Sequence, residues 1–532
     1  MIQGARYIST TATSLAEGWS LERLTPPSRL FGANGLRTGP DGRIYVAQVT
    51  GSQISALDVA TGGLETISAK GGDIIAPDDL AFDDHGNLFA TEVMDGRVSM
   101  RGADGQTRVL RDDLPSANGI TVHQNRLFVN ECRVGGRLME LFTDGSEPRV
   151  LAENLAMPNA MEVGPDGLLY YPVMGTNDIW RIDPRGGEPE RVVGDLGVPD
   201  SVKFDAAGNI VSTQVSTGEV LRIDPRTGQR TVLATLNPGL DNCTFVDGRL
   251  FVSNFTGEIT EILDGGETRT TLPGGLNWPL DLTVGSDGEL YVADGTYFYV
   301  LRRGQAPETV GMLFSPGYPG FIRGVTAVGA GEFVVTTSGG QITRWRPASQ
   351  ESEVLADELD QLYGVALGPN GDIVATEFGR GRVLAVRSGG RVEELASGLN
   401  QPIGVAFTTG GTCLVAEAGA GRIVSVSSAG VDTVVDALEQ PQGILVRGDT
   451  LYIVDVGSKS LISVDLATKV RTTLAKNLPV GAPPGVTPKP LRGLPPFSGP
   501  QGPFAGITAG PDGTLYLSAD AEGSVLALRP TA

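Results

Sequence analysis

Residues 35–48, GLRTGPDGRIYVAQ, place a Pro-Asp-Gly turn between two segments in which apolar and polar residues alternate. This pattern predicts a β-hairpin. Similar stretches recur, for example at residues 79–92 (DLAFDDHGNLFATE), 281–294 (DLTVGSDGELYVAD) and 506–519 (GITAGPDGTLYLSA). Two further strand-like segments follow each hairpin, such as VLRIDP at residues 220–225 and TRTTL at 268–272. Four antiparallel strands in each unit of about 40 residues are typical of a β-propeller blade, so we predict an all-β propeller protein.

The residue just before each hairpin defines a register of twelve repeats. These twelve positions are Asn34, Asp78, Asn118, Asn159, Asp200, Asp241, Leu280, Arg323, Tyr363, Ile403, Gln442 and Ala505. Propellers usually have four to eight blades, so twelve repeats predict two tandem six-bladed propellers at residues 31–277 and 278–532, and a single large ring is the alternative. Residues 1–30 form an N-terminal segment, in which Ser20 to Leu24 (SLERL) could close the last blade. Residues 476–503 form a Pro-rich insert in the second half, where no strand ladder is expected.

Composition narrows the classes of partner. The 532 residues include 41 Lys and Arg against 62 Asp and Glu, a net charge of −21. Such an acidic chain is a poor partner for nucleic acid or an anionic membrane surface. We find no apolar run long enough for a membrane span and no secretory leader, so a cytoplasmic location is expected. The three cysteines are widely spaced, and Cys243 and Cys413 are expected in the core. The sequence does not predict an oligomeric state.

The register position is polar in the first half alone. All six residues there are Asn or Asp, whereas the second half has none, so turn propensity does not explain the preference. The first strand of a blade lines the channel, and several carboxylates converging there need protons or a cation. Amide and carboxylate oxygens suit Ca²⁺, or alternatively Mg²⁺. The histidines, His85 and His123, fall in hairpin turns and argue against both zinc and a Ser-His-Asp triad.

The end of the second strand is a further polar position on the same face. In the first half this position is polar in five blades, at Gln48, Glu92, Glu131, Gln214 and Asn254, and Val173 is the exception. We predict that Gln48, Glu92, Glu131 and Gln214 contact substrate, together with the channel-position residues Asp78 and Asp241. In the second half, Asp294, Glu377, Glu417 and Asp455 are interpreted as solvated rim charges. Arg323 is expected to pair with a rim carboxylate such as Glu377 and to have no role in substrate binding.

The first half resembles the gluconolactonase and regucalcin (senescence marker protein) family. The resemblance rests on SANGITV at Asn118, PNAMEVGPDGLLYY at Asn159, VPDSVKFDAAGNI at Asp200 and the DNCTF stretch of blade six. It implies one divalent cation in the channel, with Asn118, Asn159 and Asp200 as ligands and Asp200 as the base. The family has a Glu in blade one where this chain has Asn34 in GANGL, so Asn34 becomes the fourth candidate ligand. The second half resembles generic NHL-type or virginiamycin-lyase-type repeats without an evident catalytic His.

These observations favour a metal-dependent hydrolase of a lactone or similar small ester, in which the metal polarises the carbonyl and Asp200 activates water. Two alternatives stay open because this fold hosts many functions. One is a binding or scaffold protein that uses the propeller faces. The other is a lyase, isomerase or cyclase of small-molecule metabolism that uses the same polar channel. The second propeller is expected to be structural or regulatory.

Overall fold

The computed structural model describes residues 6–7, 9, 11–387 and 389–531, and these residues form twelve antiparallel sheets. Helical structure in this part of the chain is limited to four short 3₁₀ turns, at Met174–Thr176, Asp264–Gly266, Pro347–Ser349 and Ala418–Ala420. None of the described helices is long and apolar enough to cross a membrane. The chain divides into two compact units, one of which is Arg29–Gly275. It is an all-β protein with two six-bladed propellers, as predicted.

Blades 1–6 form the first propeller. Each has four strands in sequence order, with the first strand innermost. The strands of blades 1–3 are Leu36–Thr38, Ile44–Gln48, Gln53–Asp58, Gly63–Ser68; Pro77–Phe82, Leu88–Glu92, Arg97–Arg101, Thr107–Arg111; and Ala117–His123, Arg126–Glu131, Val134–Leu141, Arg149–Ala156. Those of blades 4–6 are Glu162–Val163, Leu169–Val173, Asp178–Ile182, Glu190–Val193; Lys203–Phe204, Ile210–Thr213, Glu219–Ile223, Arg230–Thr235; and Leu240–Val246, Arg249–Asn254, Ile259–Ile262, Thr268–Leu272.

Blades 7–12 form the second propeller. The strands of blades 7–9 are Leu282–Val284, Leu290–Asp294, Tyr297–Leu301, Glu308–Met312; Ile322–Gly329, Glu332–Thr337, Ile342–Arg346, Glu351–Ala356; and Leu362–Leu367, Ile373–Glu377, Arg382–Val386, Val392–Ala396. Those of blades 10–12 are Pro402–Phe407, Cys413–Glu417, Arg422–Ser427, Gly430–Val435; Pro441–Arg447, Thr450–Asp455, Ser460–Asp465, Arg471–Lys476; and Ile507–Ala509, Leu515–Ala519, Ser524–Pro530.

The N-terminal segment supplies strands to the last two blades. Trp19–Arg23 pairs antiparallel with Ser524–Pro530 and gives blade 12 its fourth strand. Ser14–Leu15 pairs with Arg471–Lys476 as a fifth strand on blade 11. The apolar side chains of these added strands pack against the core between blades 11 and 12. Both ends of the chain are therefore part of the second propeller.

Each propeller closes on itself. In several blades, a small polar side chain next to the end of strand two donates a hydrogen bond to the channel-position carbonyl of the following blade. Ser253 in blade 6 makes this bond to the carbonyl of Asn34 in blade 1, at 2.8 Å. Ser518 in blade 12 makes it to the carbonyl of Leu280 in blade 7. These two closures exclude the alternative of a single ring of twelve blades.

Apolar side chains pack between neighbouring sheets, as expected for a propeller. The junction of blades 1 and 6, for example, buries Leu36 and Val46 against Phe251 and Ile259. The innermost strands approach closely, since a Cβ added at Gly35 would lie 2.4 Å from the carbonyl oxygen of Asp78 in the next blade. This close approach is what brings the channel-position side chains together.

Candidate functional site

The six channel-position residues of the first propeller form a polar ring, which we define as Asn34, Asp78, Asn118, Asn159, Asp200 and Asp241. Asn34 is partly exposed, and the other five side chains are buried. Each residue lies at or just before the start of the innermost strand of its blade. The exposed fraction of Asp200 is only 4%, so its carboxyl group is largely removed from bulk water.

Two pairs of ring residues are joined by hydrogen bonds between an amide and a carboxylate. Asn34 Nδ2 donates to Asp241 Oδ2 at 3.0 Å, which links blades 1 and 6. Asn159 Nδ2 donates to Asp200 Oδ2, also at 3.0 Å, which links blades 4 and 5. The amide oxygens of both asparagines accept backbone N–H groups, from Val49 and from Ala160 respectively. These bonds fix the orientation of the two amides.

The other two ring residues, in blades 2 and 3, have unused oxygens. Asn118 Oδ1 is buried and has no hydrogen-bond partner. The carboxyl group of Asp78 accepts no hydrogen bond from any residue in the described part of the chain, whereas its backbone carbonyl accepts the N–H of Gly35. An unpaired buried oxygen costs free energy, so these two side chains are available for a ligand.

Each carboxyl group of the polar ring makes ionisation of the others less favourable and so raises their pKa values. Burial, with the charge of Asp79, raises the pKa of Asp78 to about 7. Burial and the charges of Asp78 and Asp79 raise the pKa of Asp200 well above its ordinary value. The pKa of Asp241 is raised in the same way, by burial and by Asp200 and Asp78. A bound cation would reverse these shifts by stabilising the ionised carboxylates.

The donors of the ring fit a hard divalent cation better than zinc. Asn118 Oδ1 and the second oxygen of Asp200 are not engaged by other residues, and all the donors in the ring are oxygen atoms. Among the described residues, no three His, Cys, Asp or Glu side chains are grouped to hold a metal ion. A cation at the ring would therefore need asparagine oxygens among its ligands.

A second polar layer lies in the same channel, three residues further along the innermost strands. Arg37 Nη1 contacts Glu162 Oε2 at 2.6 Å, and Lys203 Nζ contacts the same oxygen at 3.1 Å. We call these three residues the channel ion cluster. Arg37 and Lys203 also oppose the rise that burial causes in the pKa of Asp79. Sequence reasoning missed the cluster, although its members share one position in the blade register.

The polar residues that end strand two in the first half hold the loops between blades. Gln48 and Gln214 accept backbone N–H groups from Phe31 and Gly197 and donate to neighbouring serines. Glu92 and Glu131 are fully buried in ion pairs with arginines, at Arg97 for Glu92 and at Arg133 and Arg137 for Glu131. Because these polar groups are already engaged, their contacts favour a structural role, and the prediction that they bind substrate gains no support.

The interpretation of the second-half acids as solvated rim charges is wrong. All four are buried, at Asp294, Glu377, Glu417 and Asp455. Asp294 accepts the backbone N–H of Asn277, and Glu377 accepts that of Asp360. The acceptor lies 17 positions after the donor in both cases, the same separation as between Gln48 and Phe31. Both propellers thus use this position to bind the backbone of the loop that enters the blade.

The expected pairing of Arg323 with Glu377 is also wrong. Arg323 Nη1 donates to the carbonyl of Leu362, and Nη2 donates to that of Pro500 at 2.5 Å in the Pro-rich insert. Its guanidinium lies over the ring of Tyr363, 4.2 Å from the centroid. Glu377 pairs instead with Arg382. The insert therefore folds back onto the channel positions of the second propeller.

The expectations for cysteine and histidine hold. Cys132, Cys243 and Cys413 are all buried and free. His85 is exposed in its hairpin turn and His123 is partly exposed, so neither is part of the polar ring. Cys132 lies near the ring, since burial and then the charges of Asp200 and the other ring carboxylates raise the pKa of its thiol.

Comparison with known families bears on the first propeller. Residues 13–256 match the model of the SMP-30/Gluconolactonase/LRE-like region. The match confirms the resemblance seen in the ring motifs, and it covers somewhat less than half of the chain. No curated protein matches the chain significantly.

Several solved structures show a limited similarity to this chain. A streptogramin B lyase is 18% identical (52% of this chain, 96% of that one, TM-score 0.40). A virginiamycin B lyase from Staphylococcus aureus is 14% identical (52% and 95%, TM-score 0.39). A gluconolactonase from Xanthomonas campestris is 19% identical (45% and 88%, TM-score 0.38).

Proposed function

We propose that the first propeller is a divalent-cation-dependent hydrolase that opens a lactone or similar small ester at the polar ring. The observation that carries this proposal is the buried, unpartnered Oδ1 of Asn118 within a ring that also contains three carboxyl groups. The match of residues 13–256 to a family that includes gluconolactonases supports the choice of substrate class. The mutual repulsion of the carboxylates supports the need for a cation.

Asn118 and Asp200 would hold the cation, Ca²⁺ or Mg²⁺, through oxygens that no other residue uses. Asn159 and Asn34 can join through the remaining lone pairs of their amide oxygens, since each oxygen accepts only one hydrogen bond from the protein. A bound cation would supply Lewis-acid polarisation of the ester carbonyl. Asp78 and Asp241 would face the substrate from the neighbouring blades.

Asp200 acts as the general base. Its Oδ2 is held by Asn159 Nδ2. Its Oδ1 would bind the cation through one lone pair and accept, through the other, the proton of the water molecule that attacks the carbonyl carbon. The ester C–O bond then breaks, and the proton passes from Asp200 to the leaving alkoxide, so that a lactone and water give a hydroxy acid. A bound cation would keep Asp200 ionised and able to accept the proton, because it opposes the rise in pKa that burial and the neighbouring carboxylates cause.

The direct test is the Asp200→Asn variant, assayed on a panel of γ- and δ-lactones with Ca²⁺ present. The amide keeps the shape of the side chain and removes its basicity, so we expect kcat to fall by about 10²–10⁴-fold. The matched control is Asp112→Asn, because Asp112 is exposed and remote from the channel positions in the blade register. Near-normal turnover by Asp200→Asn would exclude Asp200 as the base. If the unmodified protein is inactive on every lactone, the proposed function is wrong.

A further inference from the structure

The channels of the two propellers differ at the level of the channel ion cluster. In the first propeller, the residues three positions after the ring include the long charged side chains of Arg37, Glu162 and Lys203. The equivalent residues of the second propeller are small or apolar: Thr283, Thr326, Ala366, Ala406, Leu445 and Thr508. The second channel therefore lacks the side chains that occupy the first at this depth.

A cavity of about 300 Å³ fills this part of the second channel. Its lining comes from all six innermost strands and combines polar and apolar surface in similar amounts. Asp281 is the one titratable residue in the lining, and threonine hydroxyls add a few polar groups. The volume lies at the lower end of the range of about 300–1,000 Å³ for small-molecule pockets.

Asp281 is a buried carboxyl group without a counter-charge. Its Oδ1 accepts the backbone N–H of Leu282 at 2.9 Å, and its Oδ2 accepts that of Val325 at 3.0 Å. It forms no ion pair with any Lys, Arg or His of the described residues. Burial raises its pKa to about 7, although the two backbone hydrogen bonds oppose the rise.

Asp79 is the residue of the first propeller that corresponds to Asp281, directly after a channel position. Asp79 also follows a channel position and accepts the backbone N–H of its own neighbour and of the next blade, at Leu80 and Ile120. Its charge, however, is opposed by Arg37 and Lys203. The second propeller has the equivalent carboxylate, Asp281, but has no cationic side chains at the positions of Arg37 and Lys203, where the cavity lies.

We propose that the second channel binds a small organic amine, whose ammonium group pairs with Asp281. A buried carboxylate is costly unless it is paired, and a ligand ammonium supplies the charge that Arg37 and Lys203 supply in the first propeller. A metal ion is disfavoured because Asp281 is the sole carboxylate in the lining.

The ligand would enter from the face opposite the Pro-rich insert. At the channel-position end, Pro500 is tied to Arg323, and the ring of Phe504 packs near that of Tyr363. At the other end, the lining includes Leu367, whose side chain is 44% exposed. The cavity is thus covered by the insert on one side and reaches the surface on the other.

The test compares two probes of similar shape, 2-phenylethylammonium and the neutral 2-phenylethanol, in calorimetric titrations of the full chain. We expect the ammonium to bind at least about tenfold more tightly, because its hydrogen bonds to a carboxylate are charge-assisted. Asp281→Asn should remove this preference. The amide can keep one of the two backbone hydrogen bonds of Asp281, as Asn242 at the equivalent position of blade 6 does with the N–H of Cys243 at 2.8 Å.

Two further variants separate ligand binding from structural support. Ala366→Leu narrows the cavity without touching Asp281 and should weaken binding of both probes. Asp455→Asn is the matched control, because Asp455 is a buried carboxylate that accepts three backbone N–H groups but is not among the residues that line the cavity. It should lower stability without changing amine affinity. Equal binding of the two probes, undiminished amine binding by Asp281→Asn, or no binding of the ammonium would overturn the proposal.

Discussion

Replacing Glu162 by Gln should destabilise the first propeller markedly at neutral pH. Glu162 accepts contacts from Arg37 at 2.6 Å, Lys203 at 3.1 Å and Thr121 Oγ1 at 3.2 Å. Gln keeps the shape but removes the charge, so two largely buried cations lose their shared anion. Removing one partner of a buried ion pair typically costs about 3–5 kcal/mol.

The pKa of Glu162 gives an independent magnitude. Burial alone would raise this pKa, but the charges of Arg37 and Lys203 outweigh it and lower the pKa from 4.5 to about 2. A shift of that size corresponds to about 3 kcal/mol of folding free energy. Because the folded-state pKa is lowered, this stabilisation is fully present above about pH 4.5 and is lost as the pH falls towards about 2.

Scanning calorimetry would measure the effect, since it can resolve the unfolding of two propellers as separate transitions. The first-propeller transition of Glu162→Gln should be destabilised by about 3 kcal/mol at neutral pH. The difference from the unmodified protein should shrink as the medium is acidified. Exposed Glu153→Gln in blade 3 is the control and should change little. A Glu162→Gln difference within about 0.5 kcal/mol, or one that is independent of pH, would refute the reasoning.

Three further predictions concern the two channels. Asn34→Glu should tighten Ca²⁺ binding and destabilise the metal-free protein, because the new carboxylate would lie beside Asp241. Calorimetric titration measures the affinity and thermal melting with a chelator measures the stability; unchanged affinity would count against a cation near blade 1. Ca²⁺ binding should release protons and weaken as the pH falls through about 7, the pKa of Asp78, because protons and the cation compete for the ring; pH-independent binding would contradict this. Arg323→Met should free the Pro-rich insert and speed its cleavage in limited proteolysis, whereas exposed Arg391→Met should not; equal rates would mean that Arg323 does not hold the insert.

The blade register could be predicted from sequence because each hairpin carries its own turn. The Pro-Asp-Gly turn near Asp41 and its equivalents set the start of every repeat, and the ring residues follow from counting. Ring closure could not be predicted in this way. It depends on contacts between distant repeats, such as Ser253 with Asn34 and Ser518 with Leu280.

The polar residues that end strand two were harder to interpret because a carboxylate in a sequence does not reveal its partner. Glu377 and Glu92 look like exposed acids, yet each accepts a loop backbone N–H and pairs with an arginine five residues later. The signal was present, since the same residue types recur at this position in both halves. A feature shared by both propellers indicates a structural role, whereas the polar ring belongs to one propeller alone.

The blade register also contains the information that predicts the channel ion cluster and the cavity in the second channel, although neither was predicted. Both depend on the third residue after the channel position, which is charged at Arg37, Glu162 and Lys203 and small at Thr283 and Ala366. The predictions concerned the channel position and the end of strand two, and not the third residue after the channel position. The long reach of arginine, as in the contact of Arg323 with Pro500, cannot be inferred from spacing along the chain.

Calcium titration of the metal-free protein would show whether the polar ring binds a cation. We expect one Ca²⁺ to bind per chain in the first propeller, with an affinity at least about tenfold weaker in Asn118→Leu because the unpartnered Oδ1 is removed. The matched control is Asn370→Leu, at an exposed position of the second propeller, which should leave the affinity unchanged. If neither Ca²⁺ nor Mg²⁺ binds, or if Asn118→Leu binds as tightly as the unmodified protein, the polar ring is not a cation site.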